Sequence, residues 1–254
     1  MPDIGIVVMV FNRKEATQNC LRSVVAEVPA SIPVVVMDDC SIDGAQDVAD
    51  TFKDRFVVKH FKQNVGLCRS ANVGFGRASE LGARNLVRLN NDVVLHPGWL
   101  KAMQDSLAIP DAGVISPAFE LNPQRPVWPH QLLTPTADGM PRKVDFLAGH
   151  CLLITEAMLS RGFRWEERFY PVGPCDDDAC FFSLSNGLCN YAVDAAVCEI
   201  VSAPHSLRWH AIPYRECFDA GERLLKEKWA NLLQRRKKFH HEKMALQGKC
   251  RGDC

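Results

Sequence analysis

Charge of one sign is what this sequence most plainly lacks. Its 30 lysines and arginines balance 30 aspartates and glutamates over 254 residues. A global field that would draw nucleic acid or an anionic membrane is therefore excluded. Long apolar runs are missing too, and none reaches the roughly eighteen residues that argue for a spanning helix. The opening Met1-Pro2-Asp3 has neither the basic flank nor the apolar stretch of a secretory leader, and none is expected. Cysteine is plentiful, at 11 residues, yet no CxxC pair occurs. That removes the usual zinc spacing. Cys175 with Cys180, and Cys250 with Cys254, are too isolated to form a site. The odd number, and the apolar surroundings of Cys20, Cys151, Cys189 and Cys198, point to reduced, buried thiols in a cytoplasmic protein. No GxGxxG follows the first apolar run, which disfavours a dinucleotide-binding Rossmann enzyme. No internal repeat is visible.

What is present is strand and helix in alternation. Apolar content of 47% is ordinary for a soluble domain, and the length suits one large α/β domain with an appendage. Ile4 to Phe11 is a near-continuous apolar run, as expected of a strand buried on both faces. A helix from Lys14 to Ala26 follows, with Ala16, Cys20, Leu21, Val24 and Val25 as its inward stripe. Strands over Ile32 to Met37, Phe56 to Phe61 and up to Leu89 alternate with helices over Ala45 to Phe52 and Cys68 to Leu81. This order predicts an open, mostly parallel sheet with flanking helices. Val114 to Ser116 reads as a further strand. Six of the chain's 15 prolines then fall between Pro117 and Pro141, a density that excludes helix or central strand. Strands at Cys189 to Val193 and Val197 to Val201 are expected after a helix over Ala179 to Ser185. A helical tail from Tyr214 carries a stripe of Leu225, Trp229 and Leu232 and ends in Arg235-Arg236-Lys237-Lys238. The tail reads first as a helix packed on the core by its stripe, and alternatively as a basic anchor for a membrane or nucleic acid.

Polar residues recur where successive strands end: Asn12, Asp39, Asn64 and Asp92. In an open α/β sheet the carboxyl ends of the strands are where ligands bind. Asn90-Asn91-Asp92 can offer oxygen ligands to a hard divalent ion, which typically takes one or two carboxylates plus substrate phosphates. The plain alternative is a polar turn capping a helix. Asp176-Asp177-Asp178 would favour a helix N-terminus, but three adjacent carboxylates ask for a cation or a basic partner.

Taken together, these segments resemble a glycosyltransferase of the GT-A (Rossmann-like) fold, most like family 2 of the inverting enzymes, from Ile4 to about His205. Val8 to Arg13 is similar to that family's first strand and nucleotide-contacting turn. Asp38-Asp39-Cys40-Ser41-Ile42-Asp43-Gly44 resembles its DDGSxDG segment. Asn64-Val65-Gly66 through Gly74 resembles its NxG helix start. Leu89 to Asp92 followed by Pro97-Gly98-Trp99-Leu100 resembles its DxD variant. Cys175 to Asp178 resembles its ED-x-D helix, with cysteine in place of glutamate.

The resemblance implies a catalytic domain over 1–212, with a nucleotide-sugar-binding half (1–116), an acceptor-binding half (117–212) and a basic helical extension (213–254). It implies transfer from a UDP- or dTDP-sugar to a saccharide or other hydroxyl acceptor, with inversion. Asp176 becomes the general base, with Asp177 or Asp178 as substitutes. Phe11, Asn12, Arg13, Asp39, Asn64, Arg69 and Asn91 become nucleotide contacts. Asp92, Asn90 and His205 become ligands of Mn²⁺ or Mg²⁺, with His210 competing for the last place. Gly149, His150, Trp165 and Glu166 fall where donor sugar and acceptor bind. Two other readings stay open: a nucleotide-sugar-binding protein without catalysis, and a nucleic-acid-modifying glycosyltransferase that uses the basic tail. The expected location is cytoplasmic, with peripheral contact to a membrane as the alternative.

Overall fold

The computed structural model describes residues 3–120, 139–201, 213–232 and 234. Its centre is β1 (Ile4–Val10), seven residues that are all buried. Alternate side chains serve two cores: Ile4, Ile6, Val8 and Val10 face one, Val7 and Met9 the other. That double burial is what a parallel strand between two helical layers requires. β1 pairs in parallel with β2 (Val34–Asp38) and with β4 (Asn85–Asn90), and β2 pairs in parallel with β3 (Val57–His60).

Beyond β4 the sheet changes direction. β8 (Cys151–Ile154) is antiparallel to β4 and to β6 (Ala112–Glu120), while β6 is parallel to β9 (Cys189–Ile200). The short β5 (Val93–Leu95) and β7 (Arg142–Val144) pair antiparallel with β9. The sheet order is β3-β2-β1-β4-β8-β6-β9-β5, with β7 also on β9.

Helices α1 (Lys14–Glu27), α2 (Ala45–Asp50) and α4 (Trp99–Asp105) cover one face. Helices α3 (Leu67–Glu80), α5 (Glu156–Leu159), α6 (Cys175–Ser185) and α7 (Tyr214–Lys228) cover the other. α3 comes close to the sheet because Gly74 has no side chain: a Cβ there would collide with Val7 and Met37. α7 lays Leu225 into the second core, with Trp229 and Leu232 packed beside it. The packed-helix reading of its stripe therefore holds for the described part of the tail. No helix among the described residues is long and apolar enough to cross a membrane.

Several expectations are corrected. Val25 is exposed, and the buried stripe of α1 takes Thr17 instead. Pro117 lies within β6, at a register shift between Pro117 and Ala118, a position where a strand tolerates proline. The two strands expected after α6 form one, β9, whose pairing with β6 shifts between Val193 and Val197. α6 starts at Cys175, so its three aspartates sit inside the first turn rather than before it. Most of the proline-rich segment, and Arg235 to Lys238, lie outside the described residues.

Candidate active site

The carboxyl ends of β1, β2 and β4 meet at one edge of the sheet. Three non-glycine residues there adopt left-handed backbone angles: Asn12 (φ 57), Arg13 (φ 65) and Cys40 (φ 66). Such strain persists where the surroundings impose it, and it gathers at functional sites. Here a cross-brace imposes it. The Asn12 backbone N–H donates to Ser41 Oγ at 2.7 Å, and Ile42 N–H donates to Asn12 Oδ1 at 2.9 Å. Asn91 Nδ2 donates to the Asn12 carbonyl and to Thr17 Oγ1, each at 2.7 Å. Asn12 and Asn91 are both buried, and these bonds tie the β1, β2 and β4 ends into one rigid rim.

A cavity of about 190 Å³ opens beside that rim, lined by Met9, Phe11, Asp39, Asn64, Leu67, Asn90, Asn91, Pro171 and Val172 among others. Two larger grooves of about 410 Å³ lie at the opposite, amino-terminal ends of strands, away from where this architecture binds ligands. Asp38 and Asp39 have separate tasks. Asp38 is spent on Ser41 N–H (3.2 Å) and His60 Nδ1 (3.0 Å). Asp39 faces the cavity and accepts from the N–H groups of Val65 (2.7 Å) and Gly66 (3.0 Å). Burial raises its pKa against those two stabilising bonds. Asn64 donates weakly to the Asp39 carbonyl at 3.4 Å, and its buried Oδ1 has no partner among the described residues. Arg69 lies exposed on the first turn of α3 and is not among the cavity-lining residues.

Asp92 follows the end of β4 and is met by Arg13, whose Nη1 lies 2.7 Å from Oδ2; the two side chains are 15% and 13% exposed. Asp92, with Asn90, is the described donor set for a hard cation. It fits an ion shared with substrate phosphates, which needs only one or two carboxylates. It does not fit a cage made by protein alone, because no group of three His, Cys, Asp or Glu among the described residues could hold a metal. His205 and His210 lie outside the described residues.

The acidic triplet resolves into three roles. Asp176 Oδ2 accepts the Gly149 N–H at 3.0 Å. Burial raises the pKa of Asp177 to about 7, with the charges of Asp176, Cys175 and Glu222 adding to the effect. Asp178 is buried and accepts from Lys228 Nζ (2.9 Å) and Trp229 Nε1 (2.7 Å) of the α7 end. The basic partner that three carboxylates ask for is therefore Lys228, and it serves Asp178.

His150 is kept neutral chiefly by burial, which pushes its pKa down. Asp92 and Asp176 both pull it up, while Arg88 and Arg13 push it down. His150 thus stands within the field of both carboxylates. Glu166 is clamped by Arg168 at 2.8 Å, which holds its pKa down to about 2, and Lys228 approaches it at 3.4 Å. Trp165 is 2% exposed and belongs to the second core, edge-on to Phe75 and Phe163.

Two residues here were not singled out from the sequence. Arg88, on β4, is 1% exposed, lies 4.3 Å over the Trp165 ring and bonds Gly149 and Cys175. Cys68 adjoins Cys175, and this neighbour, with the nearby Arg88 charge, lowers the Cys175 thiol to about 7. A single arginine within the apolar strand Asn85-Leu86-Val87-Arg88-Leu89-Asn90 was the available signal for the first. Nothing in the sequence marked the second.

Strand order, rim and cleft together define the GT-A architecture of nucleotide-sugar transferases. The chain belongs to glycosyl transferase family 2, whose model matches residues 5–170. Solved structures similar to it include Staphylococcus aureus TarS 1-349 in complex with UDP-GlcNAc (16% identity, TM-score 0.68, covering 91% of this chain and 67% of that one). GalNAc-T7 with UDP, GalNAc and Mn²⁺ is another (14%, TM-score 0.64, covering 79% and 43%). The mannosyltransferase PcManGT of Pyrobaculum calidifontis with GDP-Man and Mn²⁺ is a third (16%, TM-score 0.61, covering 82% and 59%). The succinoglycan biosynthesis protein ExoO of Rhizobium meliloti is 26% identical over 106 residues, 41% of this chain. The chain spans only 29% of that relative's length by this match.

Proposed function

We propose that this protein transfers a sugar from a UDP- or dTDP-sugar to an acceptor hydroxyl, with inversion at the anomeric carbon. The observation that carries the reading is the braced strand-end rim, where Asn91 and Ile42 tie down Asn12 while Asp39 and Asn90 line the cavity beside it. Asp39, fixed by two backbone N–H groups, would accept the imino N–H of a uracil or thymine base, with Phe11 and Leu67 as apolar walls. Asp176, oriented by Gly149, would take the acceptor's proton. The acceptor oxygen then bonds to the anomeric carbon as the bond to the diphosphate breaks, and the diphosphate leaves with the electron pair. Asp177, carrying a proton up to about pH 7, spares Asp176 a second adjacent charge near neutrality. Arg13 brings a cation to the place where leaving-group charge would develop. A divalent ion held by Asp92 and Asn90 would add Lewis-acid stabilisation of the diphosphate. Similar folds solved with UDP-GlcNAc, or with UDP, GalNAc and Mn²⁺, support the choice of a nucleotide-sugar donor and a divalent ion.

The test begins with calorimetric titration of UDP, dTDP and GDP, with and without Mn²⁺, against wild type and Asp176→Asn. An enzyme of this kind binds UDP or dTDP in both forms and loses turnover in the variant. Absence of binding by all three nucleotides would refute the cleft assignment. Unchanged turnover in Asp176→Asn would refute the base. The second reading, a nucleotide-sugar-binding protein without catalysis, is motivated by the ion pair on Asp92 and by Cys175 at the first position of the acidic helix. It predicts nucleotide binding with no donor turnover in wild type.

A further inference from the structure

We propose that Arg88 is a positioning residue for the transfer: it fixes Gly149 from below so that Gly149 in turn fixes the carboxylate of Asp176. The inference rests on the reading of Asp176 as the base. Among the described residues Arg88 is the one lysine or arginine that is buried. It projects from a strand whose other side chains are mostly apolar or serve the scaffold. Burying a guanidinium is costly unless its bonds recover the loss, and this one is incompletely satisfied: Nε has no partner among the described residues. A cation kept in such a place calls for a reason beyond packing.

Its bonds supply one. Nη2 donates to the Gly149 carbonyl at 2.6 Å, and Nη1 reaches Cys175 Sγ at 3.1 Å. The guanidinium carbon lies 4.3 Å from the centre of the Trp165 ring, and the Trp165 backbone is itself pinned, its N–H donating to Asn72 Oδ1 at 3.0 Å and its carbonyl accepting from Asn72 Nδ2 at 2.9 Å. Gly149 is therefore gripped at both of its backbone groups, the carbonyl by Arg88 and the N–H by Asp176. No space is left between the three. A Cβ on Gly149 would lie 2.5 Å from Arg88 Nη2 and 3.1 Å from Asp176 Oδ2. Arg88 also holds the residue preceding Asp176 through Cys175 Sγ, so it grips both ends of the contact that orients the carboxylate. A planar fork suits this double grip, and lysine cannot reproduce it.

Arg88→Met, Arg88→Lys and Gly149→Ala test the idea, each assayed for kcat, donor KM and UDP affinity. A displacement of about 1 Å at a reacting group can cost roughly 100-fold. Arg88→Met is expected to lose about that much kcat with UDP affinity and KM unchanged. Arg88→Lys should recover part of the loss, and Gly149→Ala should behave like Arg88→Met. In isotope-labelled protein the Gly149 amide resonance should move in Arg88→Met as it moves in Asp176→Asn. Unchanged kcat in Arg88→Met with that resonance unmoved would overturn the proposal. So would a parallel loss of kcat and UDP affinity, which signals general damage. Should Arg88→Met fail to fold, Arg88→Lys decides, because wild-type kcat there would also overturn it. If Asp176→Asn stays active, the base reading fails, and the Gly149 resonance still reports whether Arg88 holds that residue.

Discussion

Replacing Arg13 with methionine removes the cation from Asp92 and keeps the apolar stem. The pair is close, at 2.7 Å, and both side chains are largely buried. An exposed pair is typically worth under about 1 kcal/mol, whereas breaking a fully buried one costs about 3–5 kcal/mol. At 15% and 13% exposure the pair belongs between them, at about 2 kcal/mol. Two consequences carry that magnitude. Without divalent ions the variant should be less stable by about 2 kcal/mol, a fall in Tm of roughly 4–8 °C for a chain of this size. In wild type an ion must displace the guanidinium to reach Asp92, and in the variant it need not. Mn²⁺ should then bind the variant roughly 30-fold more tightly, since every 1.4 kcal/mol is tenfold. Saturating Mn²⁺ should also restore much of the lost Tm through mass action. Titration with Mn²⁺ alone, followed by the paramagnetic signal of the free ion, measures the affinity without involving substrate. Asp92→Asn in the same background is the control and should abolish the gain. Equal Mn²⁺ affinity in wild type and Arg13→Met would refute the view that Arg13 and the ion compete for one carboxylate.

Trp229→Phe keeps the ring in the second core but deletes the N–H that Asp178 accepts at 2.7 Å. A loss of about 1–3 kcal/mol is expected for leaving a buried carboxylate short of a donor, read as lower urea resistance and faster proteolysis within α7. Asp177→Asn should flatten the pH dependence of stability. The folded carboxyl keeps its proton up to about pH 7, while the unfolded one loses it near its ordinary value of about 4. The native state therefore binds more protons across that window, and stability falls as pH rises through it. Urea unfolding at intervals between those limits should show the fall in wild type and a smaller one in the variant. An identical slope in both proteins would place the raised pKa elsewhere.

The sequence was most informative where one physical cause dominates. Double burial made β1 and β2 legible as apolar runs, and the need to end them at a rim put Asn12, Asp39 and Asp92 in view. It was least informative where a distant partner decides. Asp194 looks like an interruption between two strands; in the structure its carboxylate grips Arg142 at 2.7 and 2.9 Å, and β9 runs through. The start of α6 was misplaced because three aspartates suggest a loop or a cap, whereas Asp178 is neutralised by Lys228, some fifty residues on. Val25 sits at a helical spacing that suits burial, yet α1 is rotated so that Thr17 takes the inner place and accepts from Asn91. Arg88 is a lone charge in an apolar strand, and the sequence does not say which way it faces. Only the fold reveals that β4 turns it inward beneath Gly149 and Cys175.

The reversal of strand direction at β8 decides how the cleft is assembled. β3, β2, β1 and β4 form a block from the first 90 residues, and β6, β9, β5 and β7 form a second. β8, four residues long, is the seam between them. Its pairing of Leu86 with Ile154 closes a long loop, as the pairing of Ile4 with Asn85 does within the first block. The candidate cleft straddles that seam: Asn90, at the end of β4, donates its N–H to the carbonyl of His150, just before β8, at 2.9 Å. The first block carries Asn12, Asp39 and Asn91, but Pro171 and Val172 of the cavity wall, and Asp176, come from beyond the seam. The cavity is therefore complete only once both blocks have joined at β8.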